Sequence, residues 1–447
     1  MACMEKHNRK RWHITKVIII FFGIVMLYMV NFKFTPDNGE AITFRYLPYS
    51  ILYEFDFDLD EFHEELFKLY PVLLYDNHNK EKIPYYLIKV KGHYFPMAGC
   101  GPALLALPFF LIPILFFHFL PESFAIIFLS KLAASMLIAL SAIFIYFAVR
   151  LLASRRKAWI ITFIYAFCSG MWSLTSQALL TQTGSEFFIA LSILFLVKGI
   201  KESKFVSYTG FSLASAILMR PTNIMIMFLI TIYILHRHRD KFLRYIAYAI
   251  PVFLFIFGYN YYCHGSPFLF SLMIYNPFGA FYKTGSFNMW PTPFIQGFFG
   301  MLFSPSRGLF VYSPVFIFSF IGIALVWIRK GELIFKYFCG AVIVLIIIHA
   351  KWYDWWGGWT FGCRMLNDAI PFLSILLLPA MDLFKKNRKM VIVFILTVVI
   401  AFCVQAIGAF LYDNSWNSDP NIDTHQYRLW LWKNSQLRYY VYRFLQK

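Results

Sequence analysis

The feature that most limits how this chain can fold is a series of long apolar blocks with no polar rhythm of either two or 3.6 residues. Blocks of about 18–20 such residues match the hydrocarbon thickness of a bilayer. Charged residues make up only 14% of the 447 and hydrophobic ones 60%, whereas a soluble domain is about a quarter charged. The expected fold class is therefore an all-α polytopic membrane protein. Eleven spans are predicted, roughly 17–32, 122–149, 158–174, 185–200, 205–219, 222–235, 242–262, 311–328, 333–350, 368–384 and 390–411.

The formal charge of +18 does not indicate nucleic acid. More than half of the 41 Lys and Arg sit in six short clusters between apolar blocks: Lys6–Lys16, Arg150–Lys157, Lys198–Lys204, Arg237–Arg244, Arg329–Lys336 and Lys385–Lys389. Basic residues so placed set topology. A cytoplasmic N-terminus puts all six on the inner side, and eleven spans leave the C-terminus outside, as in a bacterial inner-membrane protein. No small-residue cleavage site follows the first block, which is read as an anchor. The seven cysteines show no C-x-x-C spacing, so neither a disulfide framework nor a zinc site is expected.

This topology divides the chain into a membrane-embedded domain, 1–411, and an outer tail, 412–447, whose Tyr and Trp suit a membrane interface. Two outer loops are large, 33–121 and 263–310. Residues 103–120 are apolar enough to span, but spanning would put the Arg150–Lys157 cluster outside. With Pro108 and Pro113 inside it, the block is expected to form a broken or re-entrant helix at the outer interface.

The first outer loop holds nearly half of the 23 acidic residues. Asp37 and Glu40 follow the first span closely, ahead of a segment, 41–53, read as a short amphipathic interfacial helix. A carboxylate held there can take a proton from an acceptor hydroxyl; it can also simply cap that helix. Asp56, Asp58, Asp60 and Glu61 fit a solvated loop or a structural cation site, and Asp58 and Asp60 are further candidates for acceptor contact or catalysis. On the same face Arg307 and Arg364 lie among glycines, which let backbone approach a ligand, and Arg matches phosphate in a bidentate fork. Lys351 and His349 close the ninth span there. The alternative for these cations is interfacial anchoring. Trp352, Trp355, Trp356 and Trp359 surround Asp354 and fit either sugar stacking or interfacial anchoring. Lys131 and Arg220 lie deeper, where a charge usually faces a cavity or a partner.

Four stretches, "GEAITFRYLPYSIL" with "FDLDEF", "PYYLIKVKGHYFPMAGCGPALLALPFFLIP", "GFFGMLFSPSRGLFVYSPV" and "WYDWWGGWTFGCRMLNDAIPFL", together resemble the polytopic glycosyltransferases of the GT-C superfamily. Within it the chain resembles the bacterial relatives of protein O-mannosyltransferases and lipid A aminoarabinose transferases. The resemblance covers 17–411. It implies a polyprenyl-phosphate-linked sugar as donor, a glycan, lipid or protein as acceptor, and membrane lipid around both. It also implies a catalytic carboxylate at the start of the first outer loop, where this chain has Glu40 in place of the usual Asp and Asp37 three residues earlier, so that the base is either Glu40 or Asp37. Arg364, Arg307 and Lys351 would then hold the donor phosphate, and Trp355, Trp356 and Asp354 would touch sugar or acceptor. A divalent cation is compatible with this chemistry but not required. The competing expectation is a transporter or flippase, against which no inverted repeat is found.

Overall fold

The computed structural model describes residues 2–32, 39–69, 73–76, 81–271, 289–329, 331–385 and 387–446. The chain is built from helices α1 (Ala2–Met29), α2 (Gly39–Tyr49), α3 (His63–Leu69), α4 (Gly101–Phe117), α5 (Phe124–Leu152), α6 (Arg155–Phe167), α7 (Thr181–Gly199), α8 (Lys204–Met219), α9 (Ile224–Arg237) and α10 (Phe242–His264). After these come α11 (Phe294–Phe303), α12 (Ile317–Ile328), α13 (Leu333–Lys351), α14 (Ile370–Met381), α15 (Arg388–Leu411) and α16 (Gln436–Leu445). Two antiparallel hairpins lie in the first loop: β1 (Leu73–Asp76) with β2 (Glu81–Pro84), and β3 (Leu87–Val90) with β4 (His93–Pro96).

Each of the eleven expected intervals overlaps a helix, but several run past its end: 17–32 continues beyond Met29 and 158–174 beyond Phe167. Among the described residues, four helices are long and apolar enough to cross a bilayer: Phe124–Leu152, Arg239–His264, Leu333–Lys351 and Arg388–Leu411. Thr15–Met29, Pro221–Arg237, Pro314–Ile328 and Asn367–Met381 are apolar but shorter. The packing is inverted relative to a soluble protein. α15 exposes Ile392, Val393, Ile395, Leu396, Val399 and Ile400, while α7 buries Thr181, Gln182, Thr183, Ser185, Glu186 and Ser192. With no water in the hydrocarbon, polar groups must turn toward neighbouring helices.

Small residues set the closest helix approaches. A Cβ on Gly210 of α8 would come within 2.0 Å of the Tyr245 carbonyl of α10, and one on Gly322 of α12 within 1.8 Å of the Leu376 carbonyl of α14. Both pairs close because glycine lets the backbones meet. Side-chain caps fix where helices begin: Ser123 accepts from Ile126 N (3.4 Å), and Asn387 accepts from Lys389 N (3.0 Å) and Met390 N (3.3 Å).

The first loop differs from expectation in three ways. Segment 41–53 is not an amphipathic interfacial helix: ten of the eleven residues of α2 are buried, and the backbone continues from it as a π-helical turn, Ser50–Glu54. α4, the β3–β4 unit and α5 cover it, so no apolar face is left for lipid. The block around 103–120 is not broken, since α4 runs through both Pro108 and Pro113. Its packing against α2, α5 and α7 stabilises a helix that two missing N–H groups would otherwise interrupt. The hairpins are strands that apolar-block counting does not register. The loop is stitched together by Leu59 N to Tyr94 O (2.8 Å) and Met97 N to Tyr86 O (2.9 Å).

Candidate active site

A cavity of about 930 Å³ opens between the first loop, the adjoining helix ends, the 352–365 loop and the C-terminal tail. Three chain segments bring its central pair together. Glu40 lies in the first turn of α2, where its charge suits the helix N-terminus. Arg364 sits in the loop between α13 and α14, 324 positions away in sequence. The two form an ion pair, Nη2 to Oε1. The N-terminal end of α7 supplies Gln182 Oε1, 3.2 Å from Arg364 Nη2, and Thr181 Oγ1, 3.3 Å from Glu40 Oε2. The Arg364 Nε–H is buried without a hydrogen-bond partner. A buried unused donor on a cation is costly unless something accepts from it, so the guanidinium retains capacity for an anion.

Glycines make the approach possible. Gly39 donates its N–H to Tyr85 O–H at 3.0 Å, and a Cβ there would sit 2.3 Å from the Tyr86 ring. Any other residue would push the β3–β4 unit away from the start of α2. Gly357 adopts φ +75°, and its missing Cβ would lie 3.0 Å from Arg364 Cβ.

The remaining wall is aromatic and acidic. Trp352, Trp356, Trp359, Asp354 and Asp423 all line the cavity. Asp354 accepts the Gly358 N–H at 2.9 Å. Burial, reinforced by the neighbouring Asp423 charge, pushes the Asp354 carboxyl up to about 8. Lys131 and Arg220 also face the cavity. Lys131 Nζ donates to Gln177 Oε1 (2.6 Å) and Asn31 Oδ1 (3.3 Å), and Arg220 pairs with Asp368, which accepts from Ser185 Oγ at 2.7 Å.

The expected site residues thus separate. Glu40, Arg364, Asp354 and Trp356 meet at one cavity; Asp37 lies outside the described residues. Arg307 does not line it. Its side chain is 1% exposed and donates to Trp356 O (2.9 Å), Ser306 O (2.8 Å), Gln436 Oε1 (3.0 Å), Gly358 O (3.1 Å) and Asn417 Oδ1 (2.8 Å). Trp355 is packed against Trp430 and Trp356 behind the wall, and Lys351 ends α13 without lining the cavity. Asp58 and Asp60 belong to the loop scaffold. Asp60 accepts from Tyr94 N (2.7 Å) and lies 2.7 Å from His93 Nδ1, with Asp58 3.7 Å from the same nitrogen. These three could hold a cation, their ligand atoms all lying within 4.8 Å of one another. Burial and the charges of Asp58 and Glu61 push nearby Asp56 up to about 6.

Sequence reasoning missed Gln182, Thr181 and Asp423. The first two carry a signal, a polar Thr-Gln-Thr run opening an apolar span. Asp423, in a polar tail, carries none.

In a structure search the chain matches the oligosaccharyltransferase of Archaeoglobus fulgidus, solved tethered through a disulfide bond to an acceptor peptide containing the NVT sequon. The match has a TM-score of 0.54 at 12% identity and covers 94% of this chain. The chain therefore shares the fold of that enzyme. The chain spans 58% of that enzyme's length. At this identity the likeness is one of fold alone. No protein-family model matches the sequence, and no curated protein matches it either.

Proposed function

We propose that the protein transfers a sugar from a polyprenyl-phosphate-linked donor to an acceptor on the extracytoplasmic side of the membrane, with inversion. The observation that carries this reading is the Glu40–Arg364 pair, a carboxylate and a phosphate-matching cation from opposite ends of the chain, at the wall of one large cavity. The shared fold and the membrane helices support it. The reading includes the eleven-span topology, with the N-terminus in the cytoplasm and the tail outside, and kinship with the bacterial relatives of protein O-mannosyltransferases and aminoarabinose transferases.

In this mechanism the donor phosphate enters from the bilayer and draws Arg364 away from Glu40. Glu40 then accepts the proton of the acceptor hydroxyl, whose oxygen bonds to the anomeric carbon from the face opposite the phosphate. The anomeric C–O bond breaks, its electron pair leaving on the polyprenyl phosphate, which Arg364 neutralises. Charge placed where the leaving group develops is usually a large contribution to catalysis. The acceptor is a glycan, a lipid or a protein, and the peptide-bound archaeal structure makes a protein acceptor worth testing first.

Lys131 and Arg220 on the same cavity wall favour a second reading, a path for a lipid-linked or small polar substrate. One experiment separates the two: purified protein is given labelled polyprenyl-phosphate sugars and acceptors. Release of polyprenyl phosphate with label on the acceptor supports transfer; donor left intact across the panel removes it.

A further inference from the structure

We propose that the C-terminal tail completes the binding site, with Asp423 holding the buried Trp356 and, beside it, Trp359, whose ring is an aromatic wall for a carbohydrate ring. This rests on the transfer reading only for where the sugar comes from, not for its binding.

Asp423 accepts the indole N–H of Trp356 on Oδ1 (3.1 Å) and that of Trp359 on Oδ2 (3.0 Å). One carboxylate thus fixes two rings from a loop 64 and 67 positions away. All three residues line the cavity, together with Tyr412, Asp413, Asn414 and Asn421 of the tail. With both N–H edges turned to the tail, the half-buried Trp359 indole has its carbon edge and face left to present to a ligand, and the buried Trp356 ring backs it at the cavity wall. Such surfaces suit the C–H face of a sugar ring. Interfacial anchoring does not account for the pair: Trp356 is 2% exposed and Trp359 half-buried, whereas Trp290, Trp327, Trp430 and Trp432 are the exposed tryptophans among the described residues.

Asp354 supplies the polar half. One of its oxygens takes the Gly358 N–H. Burial and the Asp423 charge favour its protonated form, which donates to a sugar oxygen as well as accepting from a hydroxyl. The ligand is therefore a carbohydrate ring with one apolar C–H face and free hydroxyls at its rim.

The tail is fastened by the residue that stands behind this wall. Arg307 bonds the Trp356 and Gly358 carbonyls on one side and the tail residues Asn417 and Gln436 on the other. Gln436 returns its amide N–H to Thr360 O at 2.8 Å. Asp423 is thus held against the indoles by a rigid frame and acts as a positioning residue.

The test uses the full-length protein labelled with 15N-tryptophan, its Trp356 and Trp359 indole signals assigned from Trp356→Phe and Trp359→Phe. Methyl glycosides of hexoses and pentoses serve as probes that carry no phosphate or lipid. At least one should shift the Trp359 indole signal. Asp423→Asn offers one accepting oxygen where two were used, so one indole is released and sugar affinity should fall about tenfold, the range for losing a hydrogen bond to a charged group. In the Trp359→Phe background the same change should matter little, because the amide oxygen still serves Trp356; a purely structural role for Asp423 predicts additive losses instead. Glycosides that leave the Trp359 signal unmoved, an Asp423→Asn protein that binds them as tightly as wild type, or additive losses would overturn the proposal. Glycoside binding without transfer from any lipid-linked donor would leave this site standing and remove the transfer reading.

Discussion

Replacing Glu40 by Gln should tighten donor binding while stopping turnover. In the resting protein the donor phosphate must compete with the Glu40 carboxylate for Arg364. The Glu40 and Arg364 side chains are 23% and 14% exposed, between the surface pairs worth about 0–1 kcal/mol and the fully buried ones whose disruption costs about 3–5 kcal/mol. Separating this pair is accordingly assigned about 1–2 kcal/mol, which the Gln variant no longer has to supply. At about 1.4 kcal/mol per factor of ten, donor affinity rises roughly 5- to 30-fold. Loss of the general base lowers turnover by roughly 10²- to 10⁴-fold. Equilibrium binding of a labelled lipid-linked donor and turnover per folded molecule give the two quantities separately. Arg364→Ala should do the reverse to binding, weakening it tenfold or more, and Arg364→Lys should restore only part, since Lys lacks the bidentate fork. Donor binding that weakens in Glu40→Gln as it does in Arg364→Ala would refute the competition, and a helix-capping role for Glu40 would leave turnover of the folded fraction nearly normal.

Arg307→Ala leaves the carbonyls of Trp356, Ser306 and Gly358 without their donor, at about 1–3 kcal/mol for each that water does not reach. The midpoint of thermal unfolding should fall and the tail should become sensitive to protease, with Arg364-dependent donor binding weakened only indirectly. For Asp354 the carboxyl is pushed up in the folded protein, to about 8 from an ordinary value near 4. The folded state therefore holds the extra proton, and stability falls as pH rises from about 4 through 8. Asp354→Asn should remove that slope, so thermal midpoints of wild type and variant diverge in the variant's favour between pH 5 and 9; parallel curves would contradict the assignment. Reporter fusions after Lys157 and after Lys447 should report opposite sides of the membrane, and same-side signals would break the eleven-span topology.

The helices were legible because apolar blocks carry their own length scale and basic clusters mark their ends. α5 and α15 each fall within a few residues of the expected interval. α2 was misjudged because periodicity reports one apolar face and cannot show that hairpins and helices will cover the others. α4 was misjudged because a proline's effect depends on the neighbours that pack around it. Glu40 and Arg364 were each legible from local context, a carboxylate just after a span and an Arg among glycines. Their contact was not, because it joins positions 324 apart. Arg307 shared the Arg364 signal and occupies a different environment: Gly308 follows it closely, as Gly362 precedes Arg364, but the Arg307 donors all turn inward to carbonyls and amides. Asp423 shows the limit most clearly, since an isolated acid in a polar tail has no pattern and gains its surroundings only when the tail folds back over the cavity.

The most direct test of the central claim is transfer itself. Purified wild-type protein, incubated with polyprenyl-phosphate sugars labelled in the sugar and with glycan, lipid and peptide acceptors, should convert at least one donor to polyprenyl phosphate and move the label to an acceptor. Glu40→Gln, matched for folded protein, should bind that donor and convert roughly 10²- to 10⁴-fold less of it. Intact donor throughout the panel, or equal conversion by wild type and Glu40→Gln, would contradict the account.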